Sequence, residues 1–464
     1  MKSSCFHLPR RTLVLALLSV AALFGDLPRT NAEWSLTATN VPMRPLPRRP
    51  SILLIVANGL GYGDLSCYGQ TKFQTPNLDR LASEGIRLTG YYAGDAASSP
   101  SHAALLLGRN PEHLKQRADV DVPLAADDVT VAQALKQSGY RTGLIGEWKL
   151  GGDGTTGAPW DHGFDQFMGY LNAGDAANLY ADYMWRNDPA THFQGKLEVY
   201  PNVGGKNGQY IPDLVTTMTM NFIKLNQPDR FNRYRPFFLQ VNYQLPGAGN
   251  GRVPTDAPFS EEPWPQLEKN KASMIARLDT SIGRLLGHLK ELNLDSNTVI
   301  FFTSDTGPQT NGGVDPKFFQ SAGPFRGHGG ELYEGGLRVP MIVRWPGKIP
   351  AGQVSDFACA AWDILPTMTG IALTSPPSGA DGISVLPVLL GQTQTDRHEF
   401  FHWQLRGRNV WHTIRMDDWE AVLPKAGAPL ELYNLRTDPG EARNVADKNP
   451  DILKKFQNVL KSSL

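Results

Sequence analysis

Ile52-Leu53-Leu54-Ile55-Val56-Ala57-Asn58-Gly59 is the stretch that decides the fold. Ile52 to Val56, five branched apolar residues in a row with Ala57 after them, leave no polar face, which is how a strand buried on both sides reads. The run stops at Asn58-Gly59, a turn at the strand's C-terminal end, where open α/β sheets carry their ligand-facing loops. Working outward, similar runs recur at residues 142–145, 237–241, 299–303 and 341–343. Helical patterns lie between them, at 75–85, 101–107, 129–138 and 271–292. The last of these sets Met274, Leu278, Ile282, Leu285 and Leu289 on one face. Strands alternating with helices predict an α/β fold: a mostly parallel central sheet sandwiched by helices, over residues 51–370. From 371 the texture turns Pro/Gly/Ser-rich, with strand-like pieces at 411–414 and 419–423 and a closing helix at 450–460. Residues 371–464 therefore read as a smaller C-terminal α+β subdomain.

The remaining composition narrows the setting. Hydrophobic residues make up 41% and charged residues 19%, which is the balance of a chain that buries a core. Lys plus Arg equals Asp plus Glu, 45 each, so no basic footprint for nucleic acid covers the surface. Lys2, Arg10 and Arg11 precede an apolar run from Leu13 to Phe24 that ends near Thr30-Asn31-Ala32. That order reads as a signal peptide over 1–32, followed by a Pro/Arg-rich linker over 33–50. The apolar run is too short to span a bilayer, and no second one is longer. An extracytoplasmic protein, periplasmic or secreted and without a stable membrane span, is expected. Export permits a bridge between Cys67 and Cys359; the alternative is two buried thiols.

Several motifs carry a family likeness. Leu60-Gly61-Tyr62-Gly63-Asp64-Leu65-Ser66-Cys67-Tyr68-Gly69 is followed by Thr75-Pro76-Asn77-Leu78-Asp79-Arg80. Further on come Gly163-Phe164-Asp165, Thr303-Ser304-Asp305 and Tyr333-Glu334-Gly335-Gly336-Leu337-Arg338-Val339-Pro340. Glu431-Leu432-Tyr433-Asn434-Leu435 and Asp438-Pro439-Gly440-Glu441 lie in the tail. In this order and number they resemble the sulfatase family, of arylsulfatase type. The resemblance implies the alkaline-phosphatase-like fold, a formylglycine nucleophile made from Cys or Ser, and a calcium ion held by three Asp and one Asn. It also implies Lys and His side chains around the sulfate.

Position by position, this chain departs from that pattern. The Asp-Asp pair of the first metal loop is Asn58-Gly59, and the Asp-Asn pair of the second is Asp305-Thr306. Asp305 and Asn58 are the residual ligand positions, and their depleted charge argues against tight calcium binding. Calcium is expected only if the site still functions; otherwise no cofactor is expected. Ser98-Ser99-Pro100-Ser101-His102 keeps the nucleophile frame, with His102 where the family has Arg, and Arg109 completes the motif. Ser98 stands at the formylglycine position; the plain alternative is that Ser98 and Ser101 cap the following helix. Gly146-Glu147-Trp148-Lys149 replaces Gly-Lys-Trp-His, so Glu147 puts negative charge where the family has positive, and Lys149 stands in for His. Gly247 and Gly329 occupy the places of a further His and Lys, with His328 alongside as a partial substitute.

The expectation is an exported, arylsulfatase-like protein with an impaired site: Ser98, His102, Glu147 and Lys149 at catalytic positions. Arg109 and His328 are candidates for binding a sulfated carbohydrate or other anionic small molecule. Two alternatives keep catalysis: an active sulfuric ester hydrolase, or a serine-dependent ester hydrolase with Ser98 as nucleophile and His102, at i,i+4, as base.

Overall fold

The Ser51–Asn58 strand pairs in parallel with Phe237–Pro246 on one side and Thr298–Ser304 on the other. Arg141–Glu147 and Gln166–Tyr170 extend the parallel set beyond Phe237–Pro246. Ile52, Leu53 and Leu54 are fully buried, as a run with no polar face requires. Each such side chain contributes about 2 kcal/mol of hydrophobic burial. The computed structural model describes residues 49–118, 120, 122–227, 235–247, 251–406 and 410–462. The expected signal peptide and nearly all of the linker lie outside those residues.

Among the described residues the sheet has ten strands. Met341–Arg344 joins it antiparallel to both Thr298–Ser304 and Ile86–Leu88, and Gln353–Ser355 forms one edge. At the other edge the hairpin Tyr183–Asp188 and Phe193–Glu198 runs antiparallel. The edge strands escape a sequence reading because they are short or half-polar. In Phe193–Glu198 half-buried and exposed residues simply alternate.

Helices cover both faces. Gln266–Glu291 buries Leu278, Ile282, Leu285 and Leu289 in the same cluster as Leu239 and Val241 of the sheet. Its Asp279 carboxylate accepts the backbone N–H groups of Asn77 and Leu78, at 2.9 and 2.8 Å. Those are free donors at the start of the Pro76–Ser83 helix, so one helix caps another. On the opposite face Ser98–Leu107 buries Ala103, Leu106 and Leu107 with Leu135 and Trp362.

The C-terminal part is a four-stranded antiparallel sheet of Phe401–Leu405, Trp411–Met416, Trp419–Leu423 and Glu431–Asn434. The helix Pro450–Ser462 packs Phe456 against Ile414 and Leu432. Trp403 ties this sheet to the larger one: it is fully buried and its indole N–H donates to the Ala93 carbonyl at 3.0 Å. The cysteines are not bridged. Cys359 is buried, whereas Cys67 is half-buried, so the pair is not two fully buried thiols.

Candidate active site

The C-terminal ends of four neighbouring parallel strands deliver Asn58, Glu147, Pro246 and Ser304 to one end of the sheet. The helix Ser98–Leu107 starts there. Its N-cap is Ala97, whose backbone is extended, and no side chain caps it. The capping role for Ser98 and Ser101 is therefore overturned. Ser98 is the first helical residue, and its hydroxyl donates to Asp305 Oδ2. Ser101 is buried, donates to the Asp305 carbonyl at 2.5 Å and accepts the Gly94 N–H at 3.0 Å. Both serines fasten the helix start to the Asp305 strand end.

Asp305 is surrounded. Oδ1 accepts the Gly59 N–H at 2.8 Å, and Oδ2 takes the Ser98 hydroxyl and faces His102 Nε2 at 3.4 Å. Burial alone would raise its carboxyl, but His102, Lys149 and Ser98 outweigh burial and hold it well below the ordinary carboxylate range.

Lys149 sits in a left-handed backbone conformation (φ 64°), one that costs a non-glycine residue about 1 kcal/mol. Its ammonium lies 2.6 Å from Glu147 Oε2 and 3.0 Å from Ser98 Oγ. Glu147 also accepts from the Asn58 side-chain amide at 2.9 Å. The Lys149 carbonyl accepts the Ser99 hydroxyl at 3.0 Å, closing the loop onto the helix. Ser98, His102, Glu147, Lys149, Asp305 and Asn58 are thus brought together. Within that group one lysine faces two carboxylates.

The remaining candidates lie apart. Arg109 follows the far end of the helix and pairs with Asp128 at 2.8 Å. His328 contacts the Gly329 carbonyl at 3.0 Å and lines an open groove with Gly63, Lys317, Phe325 and Arg326. Trp148 is buried with its N–H on the Gly157 carbonyl at 2.6 Å, and does not fill the cleft.

What fills the metal-loop region is Gln309, which no sequence pattern singled out. Its amide donates to Thr306 Oγ1 at 2.9 Å. A Cβ at Gly59 would come within 2.2 Å of Gln309 Cγ, and one at Gly329 within 2.6 Å of Gln309 Nε2. A Cβ at Gly247 would meet Asn58 Oδ1 at 2.2 Å. The glycines at 59, 247 and 329 are therefore packed closed by neighbours. The cavity bordered by Gly59, Gly247 and Gln309 measures about 10 Å³, room for about one water. Calcium does not fit these residues. Six to eight oxygen ligands are needed; of the two carboxylates present, Asp305 already accepts from Gly59 on one oxygen and Ser98 on the other, and Glu147 is taken by Lys149 and the Asn58 amide. Among the described residues no group of three or more His, Cys, Asp or Glu is arranged to hold a metal ion.

Comparison with known proteins places this geometry. The Sulfatase family model matches residues 50–374, and a model described as N-sulphoglucosamine sulphohydrolase, C-terminal, matches 330–464. Arylsulfatase A of Bos taurus is 30% identical, over 91% of this chain and 88% of that protein. An N-acetylgalactosamine-6-O-sulfatase of Bacteroides thetaiotaomicron is 28% identical, over 89% of this chain and 93% of its own length. The solved structure of Ps i-CgsB in complex with k-i-k-neocarrahexaose superposes with a TM-score of 0.77 at 27% identity, covering 90% and 93% of the two chains. The chain belongs to the sulfatase family and has its alkaline-phosphatase-like fold.

Proposed function

We propose that this is an exported sulfatase-family protein that does not hydrolyse sulfate esters and that recognises sulfated or otherwise anionic carbohydrate. One observation carries the first half: the Lys149 ammonium is held between Glu147 and Ser98, at 2.6 and 3.0 Å. A sulfate group needs uncompensated positive charge to replace its hydration, and here the buried lysine is matched by a buried carboxylate. His102 is likewise turned toward Asp305.

Recognition of carbohydrate is supported by the bound neocarrahexaose of the relative Ps i-CgsB. Within this reading the sugar lies in the open groove of about 1210 Å³ that Lys317, Arg326 and His328 border. A groove of that size admits an oligosaccharide, whereas the space beside Gln309 does not. Asp315 and Glu331 line the same groove and oppose an anion, so binding on the order of 0.1–1 mM is expected. Calorimetric titration with sulfated oligosaccharides, joined to an aryl sulfate hydrolysis assay, tests both halves. Turnover above background contradicts the first, and absence of any heat of binding contradicts the second.

A second reading rests on the 3.0 Å contact between Lys149 Nζ and Ser98 Oγ. A lysine that has lost its proton can take one from a serine, making Ser98 a nucleophile toward carboxylic esters. Lys149 then replaces His102 as base. Its ion pair with Glu147 keeps the proton on and disfavours this chemistry. Ester hydrolysis that disappears in Ser98→Ala would establish it.

A further inference from the structure

Three glutamates meet where the C-terminal sheet docks on the larger domain. Glu334 opens the short helix Glu334–Leu337, Glu420 lies on the strand Trp419–Leu423, and Glu441 belongs to the loop that follows the sheet. Glu334 and Glu420 are fully buried and Glu441 is 1% exposed. Glu334 is well served: Oε1 accepts the Tyr92 hydroxyl at 2.7 Å and Oε2 accepts Arg338 at 2.9 Å. Glu441 Oε2 accepts the Glu334 backbone N–H at 2.9 Å. Its other oxygen, and both oxygens of Glu420, have no donor among the described residues. The hydrogen-bond neighbours of the Glu420 carboxyl are the carboxyls of Glu334 and Glu441.

Two carboxylates cannot hydrogen-bond each other without a proton between them, and a buried carboxylate with no donor costs several kcal/mol. The surrounding charges do not remove the need. Arg338 serves Glu334, and Arg415 donates to the Tyr92 hydroxyl rather than to Glu420. Arg326 reaches the Glu441 carbonyl at 3.3 Å and the Tyr433 hydroxyl at 2.9 Å from a half-exposed position. Two half-buried guanidinium groups against three buried carboxyls leave at least one carboxyl to be neutralised by a proton.

We propose that Glu334, Glu420 and Glu441 form a proton-held latch that docks the C-terminal sheet, closed while Glu420 and Glu441 carry protons and loosened when they release them to solvent. The latch is adjacent to the site. Tyr92 bridges to Arg338 and leads within six residues to Ser98, and the Gly335 N–H donates to Arg326, two residues from His328.

The direction with pH follows. Burial and the Glu441 and Glu334 charges push the Glu420 carboxyl well above its ordinary value. Burial and the Glu334 charge push Glu441 from 4.5 up to about 8. Glu334 goes the other way: burial would raise it, but Arg338 and Arg415 outweigh that and lower it. The native state therefore keeps protons that the unfolded chain has lost, and stability falls as pH rises from 4.5 toward about 8. The folding constant drops about tenfold per pH unit for each proton so held. Asp95, which burial raises to about 7, adds a slope of the same sign, so the informative quantity is the difference between variants.

The test is denaturant unfolding of the exported full chain and of Glu420→Gln between pH 5 and 8. The amide copies the shape of a protonated carboxyl and can donate to both neighbours. Glu420→Gln should lose about one proton's worth of slope and be at least tenfold more stable than the natural chain at pH 8. Hydrogen exchange, corrected for its intrinsic pH dependence, should speed up in Trp419–Leu423 at pH 8 and not in Ser51–Asn58. Equal slopes in the two proteins, a uniform exchange response, or a Glu420→Gln chain that fails to fold at pH 5 would each overturn the latch.

Discussion

Lys149 and Glu147 lie two residues apart in the chain, and their charges meet at 2.6 Å with both side chains buried. A pair of this kind adds little net stability over an apolar isostere, but losing one partner strands the other charge. Lys149→Met and Glu147→Gln should each cost about 3 kcal/mol in urea unfolding. The double variant should cost clearly less than the sum, because the two sites couple directly. Additive costs would mean that the pair is not formed in solution.

The same pairing decides where an anion can be held. Lys149→Met should leave affinity for a sulfated oligosaccharide within about twofold, since its charge is already matched by Glu147. Lys317→Ala and His328→Ala, on the open groove, should each weaken it several-fold. Calorimetric titration of the three variants separates the closed centre from the groove.

Arg109 is expected to be structural. Its ion pair with Asp128, at 2.8 Å and partly exposed, is worth about 1 kcal/mol or less. Arg109→Ala should therefore shift stability slightly and carbohydrate affinity not at all. A marked loss of binding would return Arg109 to the ligand site.

Calcium binding should not come back through the ligand positions alone. Asn58→Asp, Gly59→Asp and Thr306→Asn restore three ligand side chains and, with Asp305, complete a set of four, yet a side chain at 59 starts 2.2 Å from Gln309 Cγ and at a φ of 61°. The triple variant should gain little thermal stability from calcium. Adding Gln309→Ala should produce a calcium-dependent rise, about 2.7 kcal/mol at a hundredfold excess over Kd. An equal response without the Gln309 change would show that Gln309 swings aside freely.

Much of this was legible in the sequence, for identifiable reasons. The buried strands at 51–58, 237–246 and 298–304 announce themselves because a strand covered on both faces cannot alternate. The edge hairpin at 183–198 does not, since its half-polar pattern could as well be a loop. Motif positions located Ser98, His102, Glu147, Lys149 and Asp305 in one place, but spacing alone could not say which cation faces which carboxylate. The helix spacing suggested that His102 serves Ser98; the chain instead turns His102 toward Asp305 and brings Lys149 to Ser98. Gln309 carried no signal at all. Its role comes from two glycines, at 59 and 329, that leave room for its side chain, as Gly247 leaves room for Asn58. Glu334 and Glu441 stand in motifs that carry the family likeness, but their meeting with Glu420 left no trace in the sequence, because the three come together only when the C-terminal sheet docks.

That the chain does not hydrolyse sulfate esters is tested most directly by turnover of an aryl sulfate by the purified protein, with calcium supplied. The expected rate equals that of Ser98→Ala and of the buffer alone, with Ser98 still an unmodified serine by peptide mass. Turnover that Ser98→Ala abolishes, accompanied by the mass loss of serine oxidised to the aldehyde, would contradict it.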